Sequence, residues 1–317
     1  MTKKVYRVRN WKEYNQTLVN RGSITLWFDK SSIEKWHNCE RSGRRGRPEE
    51  YSDAAILCGL TLKALFKLSY RATEGFLRSL ITLLGLKIRC PDYSLLCKRQ
   101  KTLSIPKHRK ASSSEPLHIV VDSTGLKVYG EGEWKVRQHG HSKRRVWRKL
   151  HIAINSETQS IESFVLTDLG TQDCEAFPEL VEQIDGAIDT VAADGAYDRF
   201  SCYEEAEQRS FTLISPPQHN ARTSEERPRN KKKASAAAVH RRDEVIKEVR
   251  ESGRKEWKIK SKYHRRSLAE TGVFRIKTLM GNKLTARTFE RQCNEVALWC
   301  HLINRITVTG MPVTVVV

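Results

Sequence analysis

The sequence has no long apolar segment. No run of apolar residues approaches the about 20 that a membrane-spanning helix needs. The apolar end at Val313–Val317 is short, so we expect a β-strand or a frayed terminus there rather than an anchor. No secretory signal pattern is recognisable either. We therefore expect a cytoplasmic protein with no membrane partner.

The eight cysteines lack the spacing of a zinc site. No two of them are separated by two residues, the C-x2-C pattern of most structural zinc motifs. With no sign of secretion, we expect reduced thiols, most of them buried. The chain also has no internal repeat, which argues against a solenoid or a propeller.

Acidic residues are scarce relative to basic ones. Lys and Arg total 57 against 37 Asp and Glu, which gives a formal net charge of +20 and a pI near 9.7. Such an excess indicates a polyanionic partner, and it favours nucleic acid over an anionic membrane surface. A basic protein that binds polyanions without specificity is the alternative. At 317 residues the chain has room for more than one domain.

The most informative segment runs from Tyr263 to Lys277. Positions seven apart in an α-helix return to nearly the same side, and Tyr263, Glu270 and Lys277 are spaced in this way, with Arg266 one turn before Glu270. A carboxylate among three phosphate-binding groups suggests a metal ligand that faces a nucleic-acid backbone. The alternative is a solvated charged face. A separate apolar stripe, suited to packing on a core, consists of Ala269, Val273, Ile276 and Met280.

Two earlier aspartates each follow a β-branched run. Leu117–Val121 predicts a strand that ends at Asp122, and Thr190–Ala193 predicts a short strand before Asp194 and a tight turn at Gly195. An aspartate at the end of a central strand is held rigidly enough to bind a metal. Taken alone, however, an aspartate in this position is usually a strand-to-turn cap.

These three motifs together resemble one family. The Y-x2-R-x3-E-x6-K spacing, Asp122-Ser-Thr-Gly and Asp194-Gly-Ala-Tyr-Asp are similar to the signatures of bacterial insertion-sequence transposases with a DDE catalytic domain. The resemblance implies that Asp122, Asp194 and Glu270 are catalytic and bind two Mg²⁺ ions, for which Mn²⁺ would substitute. It also implies that Tyr263 and Arg266 hold phosphate near the cleaved end and that Lys277 holds another backbone phosphate.

The implied activity is DNA transposition. Such an enzyme cleaves at the terminal inverted repeats of an insertion sequence and joins the 3′-hydroxyl ends to target DNA by two-metal phosphoryl transfer. The expected partner is double-stranded DNA, the expected assembly is a homodimer that bridges two ends, and the expected location is the nucleoid. Two alternatives stay open: a catalytically silent DNA-binding protein derived from a transposase, and a metal-dependent nuclease without strand transfer.

The order of predicted elements indicates an α/β fold. Strands at Leu150–Asn155 and Ile161–Leu166 complete a meander, and helices at Glu175–Ile184 and Phe200–Gln208 then alternate with further strands. This order matches a ribonuclease-H-like mixed sheet flanked by helices, for residues 113–317 with a basic insertion at about 216–260. In that fold the first strand lies beside the fourth, which would make the two aspartates neighbours. A last helix from Thr288 would cover the sheet.

The N-terminal third is predicted to be helical. Residues 1–40 form an arm in which Ile24–Phe28 could be a strand, and residues 41–112 form a small all-α, helix-turn-helix-like domain. Cap signals open its helices at Asp53, Thr73 and about Leu95. The resemblance implies that this region binds the inverted repeats. Helical bundles without a DNA function would look alike at this level.

Several basic groups are candidate DNA contacts. The third helix of the N-terminal region exposes Lys98, Arg99 and Lys101. A cation-rich loop beside Asp122 suits a DNA strand near the metals, and its candidates are Arg137, Lys143, Arg144 and Arg145. The segments Arg41–Pro48 and Lys231–Lys233 are either further phosphate contacts or solvated linkers.

Overall fold

The computed structural model describes residues 6–38, 49–106, 115–128, 147–226 and 235–316. The chain divides into two compact units, the first made of Met1–His108 with Ala286–Val317 and the second of Arg109–Thr285. Within the described ranges, no helix is both long and apolar enough to cross a membrane. The seven cysteines that lie in these ranges are free thiols, and Cys58, Cys202 and Cys300 among them are buried.

The first unit is built mainly from helices. They are α1 (Trp11–Asn20), α2 (Ile24–Trp27), α3 (Lys30–Glu34), α4 (Asp53–Leu65), α5 (Tyr70–Leu83), α6 (Tyr93–Arg99) and the C-terminal α12 (Phe289–Thr309). Short polar side chains fix where three of them begin, since Ser52, Ser69 and Asp92 each accept a hydrogen bond from a backbone N–H three residues on. The second of these helices therefore begins three residues before the predicted Thr73.

The arm and the C-terminal end differ in how well they follow prediction. The strand predicted at Ile24–Phe28 is wrong, because α2 occupies this segment and the indole of Trp27 donates to the carbonyl of Arg21 (2.9 Å). The predicted β-strand at the C-terminal end is confirmed. It is β7 (Thr314–Val316), which pairs antiparallel with β1 (Tyr6–Val8). The unit is therefore larger than the predicted three-helix domain and includes a two-stranded sheet.

Helix α12 groups with the N-terminal helices. It contacts α4, the side-chain amide of Asn294 donates to the carbonyls of Gln100 (2.7 Å) and Lys101 (2.8 Å), and His301 lies 2.8 Å from the carbonyl of Pro106. The sequence predicted instead that this helix belongs with the sheet. Its long apolar stripe could cover either partner, and local periodicity does not distinguish a helical neighbour from a sheet.

The second unit contains a five-stranded mixed sheet. The strands are β2 (Leu117–Lys127), β3 (Trp147–Asn155), β4 (Ile161–Asp168), β5 (Ile188–Ala192) and β6 (Thr212–Ile214), in the spatial order β4-β3-β2-β5-β6. Its helices are α7 (Asp173–Glu182), α8 (Phe200–Gln208), α9 (Ala236–Ser252), α10 (Arg254–Lys260) and α11 (Ser267–Leu279). The meander β2-β3-β4 is antiparallel, whereas β5 and β6 run parallel to β2. The predicted α/β class is confirmed.

Both faces of this sheet are covered. On one face Val121 and Val165 pack in the same buried cluster as Phe177 of α7 and Tyr203 of α8. Complete burial of a side chain such as Phe177 contributes about 1.5–3 kcal/mol. Helix α11 covers the other face, where its buried residues include Ala269, Gly272 and Ile276. Three members of the predicted apolar stripe, Ala269, Ile276 and Met280, are buried.

Part of the predicted basic insertion is folded. Helix α9 spans Ala236–Ser252, packs against α8, and buries Ala238 and Ile246. Helix α10 follows directly and buries Trp257. The helix predicted in this segment is therefore confirmed and is longer than expected. Lys231–Lys233 and Arg41–Pro48 lie outside the described residues.

Candidate active site

The register of two parallel strands aligns Asp122 and Asp194. Val120 of β2 pairs with Ala192 of β5, and the two aspartates follow these partners by two residues each. Strand β2 does not end at Asp122, as predicted, but continues to Lys127 with β3 as its partner. Asp122 instead lies level with the point where its neighbour β5 stops. The carboxyl end of a parallel strand is where α/β sheets open a crevice for ligands.

Asp194 is fixed by its own turn. Its Oδ1 accepts a hydrogen bond from the backbone N–H of Ala196 (2.9 Å), and its carbonyl accepts one from the hydroxyl of Ser215 (2.7 Å). The 3-10 turn Gly195–Tyr197 that follows places the buried ring of Tyr197 in the core. Asp194 therefore serves as the strand-to-turn cap that its sequence context suggested. One carboxylate oxygen is used in this cap.

The segment at Tyr263 is not part of the α-helix. Lys262 adopts a left-handed backbone conformation (φ 55°), Tyr263–Arg266 form a 3-10 turn, and α11 begins at Ser267. The spacing predicted that Tyr263 and Glu270 share one edge of a helix, and this prediction is wrong. The seven-residue spacing aligns two side chains only within a continuous helix, and Tyr263 lies before α11 begins. The 3-10 turn contacts both β2 and β5. This contact brings Arg266 to β2, which carries Asp122, and to β5, which ends two residues before Asp194.

Arg266 joins two of the candidate carboxylates. Its Nη1 donates to Oε1 of Glu270 (2.6 Å), and its Nη2 donates to Oδ1 of Asp122 (3.2 Å). Burial opposes the charge of the guanidinium, but the negative charge of Asp122 and the hydrogen bond to Glu270 outweigh it and raise the pKa of Arg266, with a smaller contribution from the charge of Asp194. Three acidic residues far apart in the sequence thus act on one cation.

The Asp122 carboxyl group is in an unfavourable environment for its charge. Burial raises the pKa of Asp122 above its ordinary value, and the charge of Arg266 offsets only part of this effect. The neighbouring charges of Asp194 and Glu270 raise it further. A carboxylate in such a place gains from an additional cation, which is the condition for a metal ligand.

The three candidate carboxylates are suitable ligands for a hard divalent ion, but the structure does not bring them together around one point. Carboxylate oxygens of Asp122, Asp194 and Glu270 are the ligands that Mg²⁺ prefers. Among the described residues, however, no three His, Cys, Asp or Glu side chains converge closely enough to hold a metal. The guanidinium of Arg266 lies between Asp122 and Glu270 instead. The donor atoms therefore fit the metal chemically, and Arg266 holds an oxygen of each of two of the three carboxylates.

The other predicted phosphate contacts flank this cluster. Tyr263 is half-buried, lies against Trp257 of α10 (ring centroids 6.1 Å apart) and has Lys258 over its ring (5.3 Å). Burial raises the pKa of its phenol. Lys277 lies two turns after Glu270 on α11 and is partly exposed. Arg137, Lys143, Arg144 and Arg145 lie outside the described residues.

The predicted basic helix α6 is less uniform than expected. Lys98 is exposed on α6, whereas Lys101 is exposed beyond the end of α6 and lies 3.8 Å from Glu290. The guanidinium of Arg99 contacts Glu49 (3.1 Å), Asp53 (2.5 Å) and the carbonyl of Tyr51 (3.1 Å), and its side chain is only 11% exposed. Arg99 therefore stabilises the start of α4.

Sequence reasoning missed two buried polar clusters beside the site. Asp198, the last residue of the Asp194-Gly-Ala-Tyr-Asp motif, forms two 2.8 Å hydrogen bonds with Arg242 of α9. On the sheet face away from Arg266, Oδ1 of Asp173 lies 2.9 Å from Nζ of Lys149 and 3.2 Å from Nδ1 of His151. The second aspartate of the motif was a signal for the first cluster. Nothing local in the sequence indicated the second.

Two family comparisons match this architecture. A family model described as "Transposase DDE domain" matches residues 113–305, which is more than half of the chain. The chain belongs to this transposase family. Another model with the same description matches residues 19–131 and overlaps the first at Asp122. Membership in the family implies an enzyme that cleaves and transfers DNA.

Among solved structures, this DDE transposase is similar to one described as the cryo-EM structure of the piggyBac transposase synaptic complex with hairpin DNA. The two are 12% identical, the match covers 97% of this chain and 77% of that chain, and the TM-score is 0.39. The likeness is distant.

Proposed function

We propose that this transposase cleaves DNA at the terminal inverted repeats of an insertion sequence and joins the 3′-hydroxyl ends to target DNA. The observation that carries the proposal is the bridge that the guanidinium of Arg266 forms between Asp122 and Glu270, with Asp194 just after the strand that pairs with the strand of Asp122. The strand order and directions of the sheet support the assignment of a ribonuclease-H-like fold.

The proposed catalytic residues are the three carboxylates. Asp122, Asp194 and Glu270 would hold two Mg²⁺ ions, or Mn²⁺ in their place, which supply activation of a water or 3′-hydroxyl nucleophile and stabilisation of the leaving oxygen. Arg266 and Tyr263 would bind the phosphate next to the cleaved bond and hold it in line for attack. Lys277 would bind a second phosphate along the same strand.

Double-stranded DNA is the proposed partner. The net charge of +20 supports it, as does the exposure of Lys98 on α6. The helices around α6 would bind the inverted repeats, and the loop that carries Arg137, Lys143, Arg144 and Arg145 would hold a strand near Asp122. A homodimer in the synaptic complex would bring the two ends together, in or near the nucleoid.

The decisive test is the conversion of Glu270 to Gln. This substitution keeps the shape of the side chain but removes the charge that a metal needs. We expect DNA binding close to the wild-type level, measured by electrophoretic mobility shift, with loss of Mg²⁺-dependent nicking and strand transfer on a repeat-end duplex. Undiminished strand transfer by this variant would refute the catalytic assignment.

The same assay separates the two alternatives. A catalytically silent DNA-binding protein would also keep the contacts of Arg266 with Asp122 and Glu270, so these contacts do not distinguish it from an active enzyme. Such a protein releases no 3′-hydroxyl product from the duplex under any Mg²⁺ concentration. A metal-dependent nuclease releases the product but forms no recombinant with target DNA.

A further inference from the structure

We propose that Arg266 makes metal binding depend on DNA. In the structure its guanidinium holds carboxylate oxygens of Asp122 and Glu270, and a DNA phosphate would draw it away from these two proposed metal ligands. This inference rests on the proposed function, because it assigns the metal and the phosphate to the same site. It adds an order of events that the family assignment does not contain: DNA first and metal second.

The first argument is geometric. Nη1 of Arg266 lies 2.6 Å from Oε1 of Glu270, and Nη2 lies 3.2 Å from Oδ1 of Asp122. One guanidinium thus occupies an oxygen of each of two proposed ligands. A divalent ion that bound between the same oxygens would meet this positive charge at contact distance, which is strongly repulsive in a partly buried site.

The second argument concerns the hydrogen bonds of Arg266. Its side chain is only 18% exposed, and its Nε is buried without a hydrogen-bond partner. A buried donor without a partner is costly. A DNA phosphodiester offers two non-bridging acceptor oxygens and fits the guanidinium fork bidentately. An exchange from carboxylates to phosphate would therefore preserve the ion pairing and could satisfy the unused donor.

The third argument is that the exchange needs little backbone movement. Arg266 already has helical backbone angles (φ −54°, ψ −29°) as the residue before α11, and Ala269 anchors the next turn in the core. Glu270 is largely exposed, with 60% of its side chain accessible. A rotation of the Arg266 side chain alone would release both carboxylates.

This coupling has a thermodynamic consequence that can be measured without catalysis. If phosphate releases the carboxylates, DNA raises the affinity for metal, and metal raises the affinity for DNA by the same factor. Couplings of this kind are typically about 5–150-fold. Removal of the guanidinium should strengthen metal binding in the absence of DNA and shrink the effect of DNA.

The experiment titrates Mn²⁺ into the full-length protein, with free Mn²⁺ followed by electron paramagnetic resonance, with and without a short repeat-end duplex. The variants are Arg266→Gln, Arg266→Lys and Arg265→Gln. The last is the matched control, because Arg265 is the exposed neighbour and its loss changes the net charge equally. Melting temperatures verify that each variant is folded, and Arg266→Lys keeps the charge if Arg266→Gln is unstable.

We expect DNA to tighten Mn²⁺ binding to the wild-type protein at least about tenfold. Arg266→Gln should bind Mn²⁺ tightly without DNA and gain little from it. Arg265→Gln should behave like the wild-type protein. Arg266→Lys should be intermediate, because an ammonium cannot bridge two carboxylates as the guanidinium fork does.

Three results would overturn the inference. If Arg265→Gln and Arg266→Gln strengthen Mn²⁺ binding equally, only net charge matters. If the wild-type protein binds Mn²⁺ equally well with and without DNA, the carboxylates are not blocked, although the proposed function stands. DNA-dependent Mn²⁺ binding without any strand transfer would support the role of Arg266 and count against the proposed function. Absence of Mn²⁺ binding in every variant would overturn both.

Discussion

The Asp198–Arg242 ion pair connects the aspartate motif to α9. The Asp198 carboxylate is fully buried, the Arg242 side chain is 5% exposed, and the pair is joined by two hydrogen bonds of 2.8 Å. Arg242 also lies over the ring of Phe200 (5.1 Å) and donates to the carbonyl of Arg222. Asp198 follows Asp194 by four residues, so this pair fixes the far end of the turn that begins with a candidate metal ligand.

Arg242→Ala should destabilise the protein strongly. It leaves the buried carboxylate of Asp198 unpaired, and loss of one partner of a buried ion pair costs roughly 3–5 kcal/mol. We expect this loss in the free energy of unfolding measured with urea. Arg241→Ala is the control, because its contacts with Glu207 and Glu244 are solvent-exposed. Equal effects for the two variants would show that burial of the pair has no energetic role.

The ionisation of Asp173 should make the stability of the protein depend on pH. Burial opposes this ionisation, but the polar groups of His151, Ser123 and Lys149 beside it hold the pKa of Asp173 well below its ordinary value of 3.8. A depressed pKa in the folded state stabilises the protein above the unfolded-state value, and this stabilisation disappears as the pH falls through the folded-state value. The contribution is therefore complete at neutral pH and is lost below about pH 4.

Asp173→Asn should lower the melting temperature at pH 7 and reduce its further decline on acidification. The measurement is a series of thermal unfolding curves between neutral and strongly acidic pH for both proteins. Asp189→Asn is the control. Asp189 is an exposed carboxylate that lies near a different histidine, His118 of β2. If wild type and Asp173→Asn lose stability in parallel as the pH falls, the assignment to Asp173 is wrong.

At the scale of elements, the position of Glu270 depends on how closely α11 approaches the sheet. Gly272 lies two residues after Glu270, and a Cβ built at this position would come 2.0 Å from Cδ1 of Ile154 on β3. Only a glycine permits this approach without a shift of the helix or of Ile154. The glycine therefore sets the distance between Glu270 on the helix and Asp122 on the adjoining strand.

Gly272→Ala should destabilise the protein by about 1–3 kcal/mol, the usual cost of overpacking. It should also reduce strand transfer, because the helix that carries Glu270 is pushed outward. The double variant Gly272→Ala/Ile154→Val removes the clashing Cδ1 and should recover part of both losses. Urea unfolding and the strand-transfer assay measure the two effects.

The comparison position is Gly75 on α5, where an added Cβ meets nothing within 4 Å. Gly75→Ala should therefore stabilise the protein by up to about 1 kcal/mol through helix propensity alone. A Gly272→Ala variant that is as stable as Gly75→Ala would mean that Ile154 adapts at no cost.

At the scale of the whole molecule, the charge of +20 predicts salt-sensitive DNA binding. Each phosphate neutralised by Lys or Arg releases counterions, and 6–10 such contacts lower the affinity by about 10³–10⁵ between roughly 50 and 200 mM salt. Conversion of the loop cations to Gln should reduce the slope of log affinity against log salt by about one for each phosphate that is no longer neutralised. The four are Arg137, Lys143, Arg144 and Arg145.

Fluorescence anisotropy with a labelled duplex at several salt concentrations measures this slope. The control variant removes the same number of positive charges from the N-terminal arm, at the exposed residues Arg9, Lys12, Lys30 and Lys35. Equal slopes for the two variants would show that total charge, and not the loop, determines the electrostatic contribution.

Local patterns predicted most of the second unit. Helix α8 has the predicted bounds Phe200–Gln208, and the strands at Leu150, Ile161 and Thr190 are present within a few residues. Alternation of apolar residues and short polar caps determine these elements, since both act over a few residues. The motif spacing likewise selected the family that the comparison with residues 113–305 then established.

The sequence alone therefore determined the α/β class, the family and the candidate residues, because each is encoded in contiguous patterns. The tertiary structure decided how these residues meet. The 3-10 turn that removes Tyr263 from the helix, the bridge of Arg266 to Asp122, the approach of Gly272 to Ile154 and the placement of α12 with the N-terminal helices all join distant segments. Such contacts depend on packing between elements, and a local sequence pattern does not predict which elements pack together.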